Sequence, residues 1–260
     1  MSLDETFLRA FRAHMAVGDL FHDEAGTAHE VFQSSTIGAL LEGVYDGETT
    51  FAELARHGDF GLGTINALDG EMTALDGEFF QATADGQVVP ISPEAKTPFA
   101  VVMFFDPTLA VDVDEPMDLD GLTEALDKAA PSKNIFYAVK ASGRFDAVRV
   151  RSVPRQAKPY PPLVEAVAHQ PVFDCHDIAG SLVGFRFPDY TQGLNVPGWH
   201  LHFLSDDRQA GGHVLHFSTR KARVEIDVTS QFHMALPHEG AFLDADLDKD
   251  SADDIRKAEK

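Results

Sequence analysis

The stretch GWHLHFLSDDRQAGGHVLHF, residues 198–217, predicts a β-hairpin that carries three histidines. His200 and His202 are two residues apart, so they project from the same face of a strand, because side chains in a strand alternate between its two faces. The segment SDDRQAGG that follows has the Asp and Gly residues typical of a turn. If the chain reverses there, His213 lies beside His202 on the partner strand.

Three neutral imidazoles on one face indicate a metal site with an open fourth position, as in catalytic zinc centres. Nickel, cobalt, manganese and ferrous iron also accept imidazole ligands. A single histidine is more often a hydrogen-bonded structural residue, but a paired HxH with a third histidine across a glycine turn favours a metal. His216 has the opposite strand parity to His213 and is predicted to point away.

Composition excludes several classes of protein. The chain has 260 residues, a formal net charge of −21 and one cysteine, Cys175, so a disulfide framework and a cysteine-based zinc cluster are ruled out. So acidic a surface repels nucleic acid, and an anionic substrate needs a locally positive site made by a metal or an arginine. No apolar run approaches the roughly 20 residues that span a membrane. The first residues do not resemble a secretory signal, and a cytoplasmic location is expected.

The order of short apolar runs and turns predicts an α+β fold with two β-sheet modules, mainly antiparallel or mixed, and a few short helices. We divide the chain into a lead-in segment at 1–33, an N-terminal sheet module at 34–150, and a C-terminal module with an acidic tail at 151–260. The sequence LDGE occurs at 68–71 and 75–78, as expected of consecutive strands joined by tight turns. The stretch NIFYAVKASGRFDAVRVRSVPRQ, residues 134–156, predicts a hairpin around SGRF, and KARVEIDVTSQFHMALP is expected to complete the second sheet.

Three further residues are candidates for chemistry beside the metal. Glu71 follows a DG turn, where a carboxylate can stand at the start of a strand, although a solvated turn residue is the simpler interpretation. Arg151 alternates in AVRVRSV and could clamp a carboxylate from an inward face, or could equally be a solvent-facing charge. The hydroxyl of Thr64 in GLGTINALDGE could donate a hydrogen bond to a substrate, although strand packing is the commoner role.

Four collinear segments resemble the acetolactate decarboxylases: SSTIGALLEGVYDGETTFAELARHGDFGLGTINALDGEM, APSKNIFYAVKASGRFDAVRVRSV, KPYPPLVEAVAHQPVF and GWHLHFLSDDRQAGGHVLHF. The resemblance covers residues 33–240, and the combination of GDFGxGTxNxLDGE with GxHLHFxxxxRxAGGHV is highly specific. It implies a two-sheet α+β fold, a homodimer, and a zinc-dependent conversion of 2-acetolactate to acetoin and carbon dioxide.

The resemblance also assigns site residues. The family's zinc ligands fall on His200, His202 and His213. Its active-site glutamate, strand arginine and threonine fall on Glu71, Arg151 and Thr64. A tail glutamate that returns to the metal falls on Glu259, which the residue pattern alone would predict to be a frayed terminal residue.

In the reaction that the resemblance implies, zinc polarises the ketone and hydroxyl oxygens, and Glu71 or Glu259 protonates the enediolate. No organic cofactor is expected, because the chain has no phosphate-cradling glycine loop. Two other functions fit an HxH strand with a later histidine. One is a cupin-like metal oxygenase or isomerase, in which a glutamate usually follows HxH, whereas this chain has Asp206 and Asp207 there. The other is a non-enzymatic zinc-binding, DNA-associated or assembly domain, although the net charge argues against DNA.

Overall fold

Two β-sheets pack against each other through a shared apolar core and bring the predicted site residues together. The structure is a computed structural model, and it describes residues 2–17, 29–248 and 252–259. The helices in these ranges are α1 Leu3–Val17, α2 Ile37–Leu41, α3 Phe51–Leu54, α4 Leu119–Ala129, α5 Leu163–Ala166 and α6 Ala252–Glu259. None of the helices in the described ranges is long and apolar enough to cross a membrane.

The strands account for most of the regular structure and confirm the predicted α+β class. They are β1 Glu30–Ser34, β2 Thr49–Thr50, β3 Phe60–Thr64, β4 Glu71–Leu75, β5 Glu78–Ala82, β6 Val88–Pro90, β7 Lys96–Thr97, β8 Ala100–Met103, β9 Leu109–Val113, β10 Met117–Asp118, β11 Phe136–Arg151, β12 Val172–Phe187, β13 Gly198–Ser205, β14 Gly211–Thr229 and β15 Gln231–Ala235. A seven-stranded sheet, here sheet A, has the order β15-β1-β8-β3-β4-β5-β6.

The second sheet, here sheet B, has six strands and curls back on itself. Its order is β10-β14-β11-β12-β13, β9 also pairs with β14, and β13 pairs again with the start of β14. The strands β14, β11, β12 and β13 therefore form a closed ring of pairings. This closure places the start of β14 between β13 and β11, where it can carry a residue that touches both.

The core between the sheets is built from alternate strand residues. Phe60 of sheet A packs against Phe185 of sheet B with ring centroids 5.7 Å apart, and both side chains are buried. The opposite face of sheet B carries a second apolar cluster, which contains Leu201 and Phe203 and is covered by α1 and α4. These residues alternate with the histidines along β13. The prediction that His200 and His202 share one face of the strand, and their apolar neighbours the other, is therefore confirmed.

The hairpin predicted around SGRF is wrong. Residues 136–151 form one continuous strand, β11, which pairs with both β12 and β14 along its whole length. Gly143 does not make a turn: a Cβ atom there would lie 2.6 Å from the carbonyl oxygen of Lys221 on β14. The glycine allows close approach of two strands, and the register with β14 shifts near Arg144 and Phe145, as at a β-bulge.

The C-terminal strands also differ from the prediction. KARVEIDVT ends β14 in sheet B, but QFHMA forms β15, which crosses to sheet A and pairs in parallel with β1. The break comes at Ser230, where the Gln231 N–H turns to the Thr229 hydroxyl at 3.0 Å. In contrast, the tight turn predicted between the two LDGE segments is confirmed, with Asp76 and Gly77 at positive φ between β4 and β5.

The division of the chain into a lead-in segment and two sheet modules, with boundaries at 33/34 and 150/151, stays a prediction. In the structure β1 runs through the first boundary and β11 runs through the second. Part of the predicted lead-in segment forms α1, whose Phe7 and Phe11 are 0% and 1% exposed and join the outer cluster of sheet B. Residues 18–28 of that segment lie outside the described residues.

Candidate metal centre and active site

The three histidines meet because of strand register. His202 on β13 pairs directly with His213 on β14, and His213 in turn pairs with Arg151 on β11. His200 is two residues before His202 on the same face of β13. The hairpin predicted from the sequence is therefore confirmed, and closure of sheet B adds Arg151 to the same row.

The imidazoles are close enough to bind one ion. Their ligand nitrogens all lie within 4.8 Å of one another, and His200 Nε2 lies 3.0 Å from His213 Nδ1. Ring centroids are 4.8 to 5.6 Å apart. His202 and His213 are 1% and 5% exposed. His200 is partly exposed when all of its atoms are considered, but its imidazole is buried.

The chemistry of these nitrogens fits a metal. His202 Nδ1 donates to the carbonyl oxygen of Met72 at 2.8 Å, which leaves Nε2 with a lone pair. Among the described residues, this buried Nε2 has no hydrogen-bond partner. Burial, and after it the Arg151 charge, lowers the pKa of His200 to about 3; burial, and after it His200, lowers the pKa of His202. Low pKa values keep these two imidazoles neutral, the form that binds divalent zinc and its neighbours.

Sheet A faces the histidines with a carboxylate and a hydroxyl. Glu71 begins β4, and its Oε2 lies 3.7 Å from His202 Nε2. Thr64 is the last residue of β3 and pairs directly with Glu71 across the β3–β4 ladder. The Thr64 hydroxyl donates to the Gly70 carbonyl at 2.7 Å, so its oxygen keeps lone pairs for another donor.

Arg151 lies on the inward face of β11 and is 4% exposed. Val150 beside it points to the opposite face, and Arg149 pairs with Asp174 at the surface. One Arg151 guanidinium nitrogen, Nη2, donates to the Ala258 carbonyl at 2.5 Å, and Nε has no partner within the described part of the chain. A buried cation with a free donor is suited to an anionic ligand.

Short helices close the pocket on its other side. The cavity has a volume of about 50 Å³. Its polar side consists of the residues already described. Its apolar side is formed partly by Ile37 and Leu40 of α2, Leu163 of α5, Val167 just after α5 and Ala258 of α6, and partly by Leu68, Phe99 and Val153 from loops beside the strands. Sequence reasoning missed this apolar wall, since such residues are indistinguishable from ordinary core residues until the fold places them.

The assignment of the tail glutamate Glu259 to the site stays a prediction. The helix α6 ends at Glu259, and Ala258 one residue earlier lines the pocket. Ile255 and Ala258 are 4% and 2% exposed and join the core between the sheets, so the end of the chain is packed here. The side chain of Glu259 lies outside the described residues.

Fold and site together define a class: an α+β protein with two packed sheets and, at their interface, a buried cluster of three histidines that could hold a metal ion. Comparison with known families is specific. Residues 31–249 match the model of the alpha-acetolactate decarboxylase family, and the chain belongs to that family.

Individual relatives agree with this assignment. The chain is 61% identical over 259 residues to the alpha-acetolactate decarboxylase of Methylococcus capsulatus, with 100% of each chain covered. It is 41% identical to that of Bacillus licheniformis, covering 88% of this chain and 91% of the relative. The crystal structure of alpha-acetolactate decarboxylase from Bacillus subtilis strain 168 superposes with a TM-score of 0.86 at 38% identity, covering 88% of this chain and 99% of that one.

Proposed function

We propose that this chain converts 2-acetolactate to acetoin and carbon dioxide with Zn²⁺ held by His200, His202 and His213. The observation that carries the proposal is the buried trio of imidazoles on sheet B, which faces Glu71 of sheet A and adjoins Arg151 on its own sheet. The site thus gathers three potential metal ligands, a carboxylate and a cation around one pocket, in a chain of the decarboxylase family.

The reaction needs a place for an electron pair. When the carboxylate leaves as carbon dioxide, the two electrons of the broken C–C bond pass to the neighbouring ketone and form an enediolate. One proton added to carbon then gives acetoin. When bound, zinc supplies Lewis-acid stabilisation of the charge that develops on the ketone and hydroxyl oxygens.

Arg151 binds and orients the anionic part of the substrate. Its side chain is almost fully buried, and Nε is the donor that remains for a ligand. In a pocket that excludes water, a charge-assisted hydrogen bond of this kind is stronger than at a surface. Binding one carboxylate oxygen there holds the scissile bond in a fixed direction, which is the positional contribution to catalysis.

A carboxylic acid must deliver the proton to one face of the enediolate. Glu71 is a candidate because its Oε2 lies beside His202, and Glu259 is the other because α6 ends at the pocket. Two carboxyl groups near one site can divide the acid and base roles between them. Thr64 completes the polar side, where its oxygen accepts a hydrogen bond from the substrate hydroxyl.

The first test is to measure the acetoin that the protein forms from racemic 2-acetolactate. The metal content of the protein is determined, and the assay is run before and after a chelator removes the metal. We expect turnover to disappear with the metal and to return when Zn²⁺ is added. Folded, fully metallated protein that makes no acetoin would exclude the decarboxylase function while leaving the metal site intact. Restoration by ferrous iron alone, together with oxygen uptake, would instead favour the cupin-like oxygenase.

We also propose that the protein is a cytoplasmic homodimer. The family resemblance supports the dimer, and a chain with the single cysteine Cys175 suits a reducing compartment. Light scattering coupled to size-exclusion chromatography measures the mass directly against the 28.4 kDa of one chain. Cell fractionation tests the location.

A further inference from the structure

The loop between β3 and β4, residues 65–70, has an unusual backbone. Ala67 and Leu68 have φ of 65° and 52°, and Gly70 has φ of 83°. Residues with a side chain rarely adopt the left-handed region, and each such residue costs on the order of 1 kcal/mol or more. Strain of this kind persists only where the surrounding structure holds it, and it often accompanies a functional site.

Three carbonyl groups of this loop are each held by a different part of the fold. The Ala67 carbonyl accepts from the Gln156 N–H at 2.8 Å. The Asp69 carbonyl accepts from Gln81 Nε2 at 2.6 Å, and the Gly70 carbonyl accepts from the Thr64 hydroxyl at 2.7 Å. These hydrogen bonds fix the direction of the backbone at the end of the loop. Glu71 is the next residue, so they also fix where its side chain starts.

Gln81 occupies a distinctive place in this arrangement. It lies on β5 and pairs with Met72, so it is one strand away from Glu71 and does not line the pocket. Its side chain nevertheless reaches back across the ladder to the Asp69 carbonyl, two residues before Glu71. Its Cγ lies 3.4 Å from where a Cβ atom of Gly70 would stand, so the side chain also packs on the loop.

We propose that Gln81 is a positioning residue for Glu71, acting through the Asp69 carbonyl of the strained loop. Without this hydrogen bond the 69–70 peptide is still held through the Gly70 N–H, which donates to the Val153 carbonyl at 2.9 Å, but its carbonyl side loses an anchor. The peptide plane then tilts toward a relaxed conformation, and the Glu71 carboxylate moves with it. The inference rests on the proposed function, because it assigns to Glu71 a role whose geometry matters. A displacement of about 1 Å at a catalytic group can cost on the order of 100-fold in rate.

The test uses Gln81→Met, which keeps the length of the side chain and removes the amide donor. We expect kcat for acetoin formation to fall roughly 10-fold while KM stays within about twofold, because the loss acts on positioning and not on substrate binding. The control is Gln87→Met: Gln87 is exposed, close to the β5–β6 turn, and its substitution should leave both constants unchanged.

A double-mutant cycle separates positioning from general damage. In a Glu71→Gln background, Gln81→Met should cause no further loss, since the residue through which it acts is already disabled. An equal loss in both backgrounds, an effect on KM alone, or no effect on the wild-type background would each overturn the proposal.

Hydrogen exchange provides a readout that does not depend on activity. Peptides covering residues 65–71 should exchange faster in Gln81→Met than in wild type, with no such change in Gln87→Met. If wild-type protein forms no acetoin, the proposed function fails while this measurement still tests whether Gln81 holds the loop. Unchanged exchange in Gln81→Met would overturn the proposal even in an active enzyme.

Discussion

The two sheets contribute to the pocket in different ways. Sheet B supplies His200, His202, His213 and Arg151 from regular strands, and their meeting follows from the register of three neighbouring strands. Sheet A supplies Glu71 from the end of a loop with three left-handed residues, held in place by side chains from other strands. One side of the site is thus built by repeating geometry, and the other by individual contacts.

This difference suggests different tolerances. A strand that pairs on both sides fixes its side chains through many backbone hydrogen bonds, so one substitution beside a ligand does little to its position. A strained loop keeps its conformation through a few specific bonds, and losing one of them can change its direction. We therefore expect the metal side to respond to loss of the ligands themselves, and the carboxylate side to respond also to residues behind it.

The largest effect is expected on the sheet B side, from His202→Ala. Removing a buried ligand should abolish stoichiometric metal binding and lower turnover by at least about 1,000-fold, since metal polarisation contributes several kcal/mol to the transition state. Elemental analysis and an acetoin assay measure the two losses together. His216→Ala is the matched control, because His216 is exposed on β14; full activity in a metal-free His202→Ala protein would contradict the metal hypothesis.

Arg151→Ala should separate the cation from the metal. We expect metal content to be retained and kcat/KM to fall on the order of 100-fold, because a buried donor to a substrate oxyanion is lost. Arg149→Ala on the same strand removes only an exposed ion pair with Asp174, for which the expected change is small. Equal effects of the two substitutions would mean that Arg151 is not a substrate ligand.

On the sheet A side, Glu71→Gln and Glu259→Gln test the proton donor. At least one should lose about 100-fold or more in kcat, the usual contribution of a general acid. Single-turnover assays in D₂O, read by the chirality and isotope content of the acetoin, show which substitution blocks protonation. If both variants keep full activity, neither carboxylate has the proposed role.

The smallest effect concerns the stability of the loop itself. Gly70→Ala should lower the free energy of unfolding by roughly 2 to 4 kcal/mol, because φ is positive and a Cβ atom would lie 2.3 Å from the Ala82 carbonyl oxygen. Gly77→Ala has nearly the same φ, 82°, but nothing within 4 Å, and should cost only about 1 kcal/mol. Urea denaturation compares the two, and equal losses would show that the loop is not held by this close approach.

The sequence was informative wherever the signal was local. Alternation in GWHLHFLS and the turn residues of SDDRQAGG predict a histidine face and a hairpin, and both are confirmed. The same local reasoning failed at SGRF, where glycine is a turn signal in most contexts. Here Gly143 serves the close approach of Lys221 on another strand, which residues near it in sequence cannot reveal.

From the residues alone came the α+β class, the cluster of three histidines and the candidacy of Glu71 and Arg151, because strand periodicity and turn chemistry are properties of neighbouring residues. The resemblance added Glu259 and the reaction. Only the tertiary structure set Glu71 against His202, led Arg151 to the Ala258 carbonyl and brought Gln81 to the loop behind Glu71. These contacts join residues distant in sequence, and they exist only because two sheets pack face to face and exclude water between them.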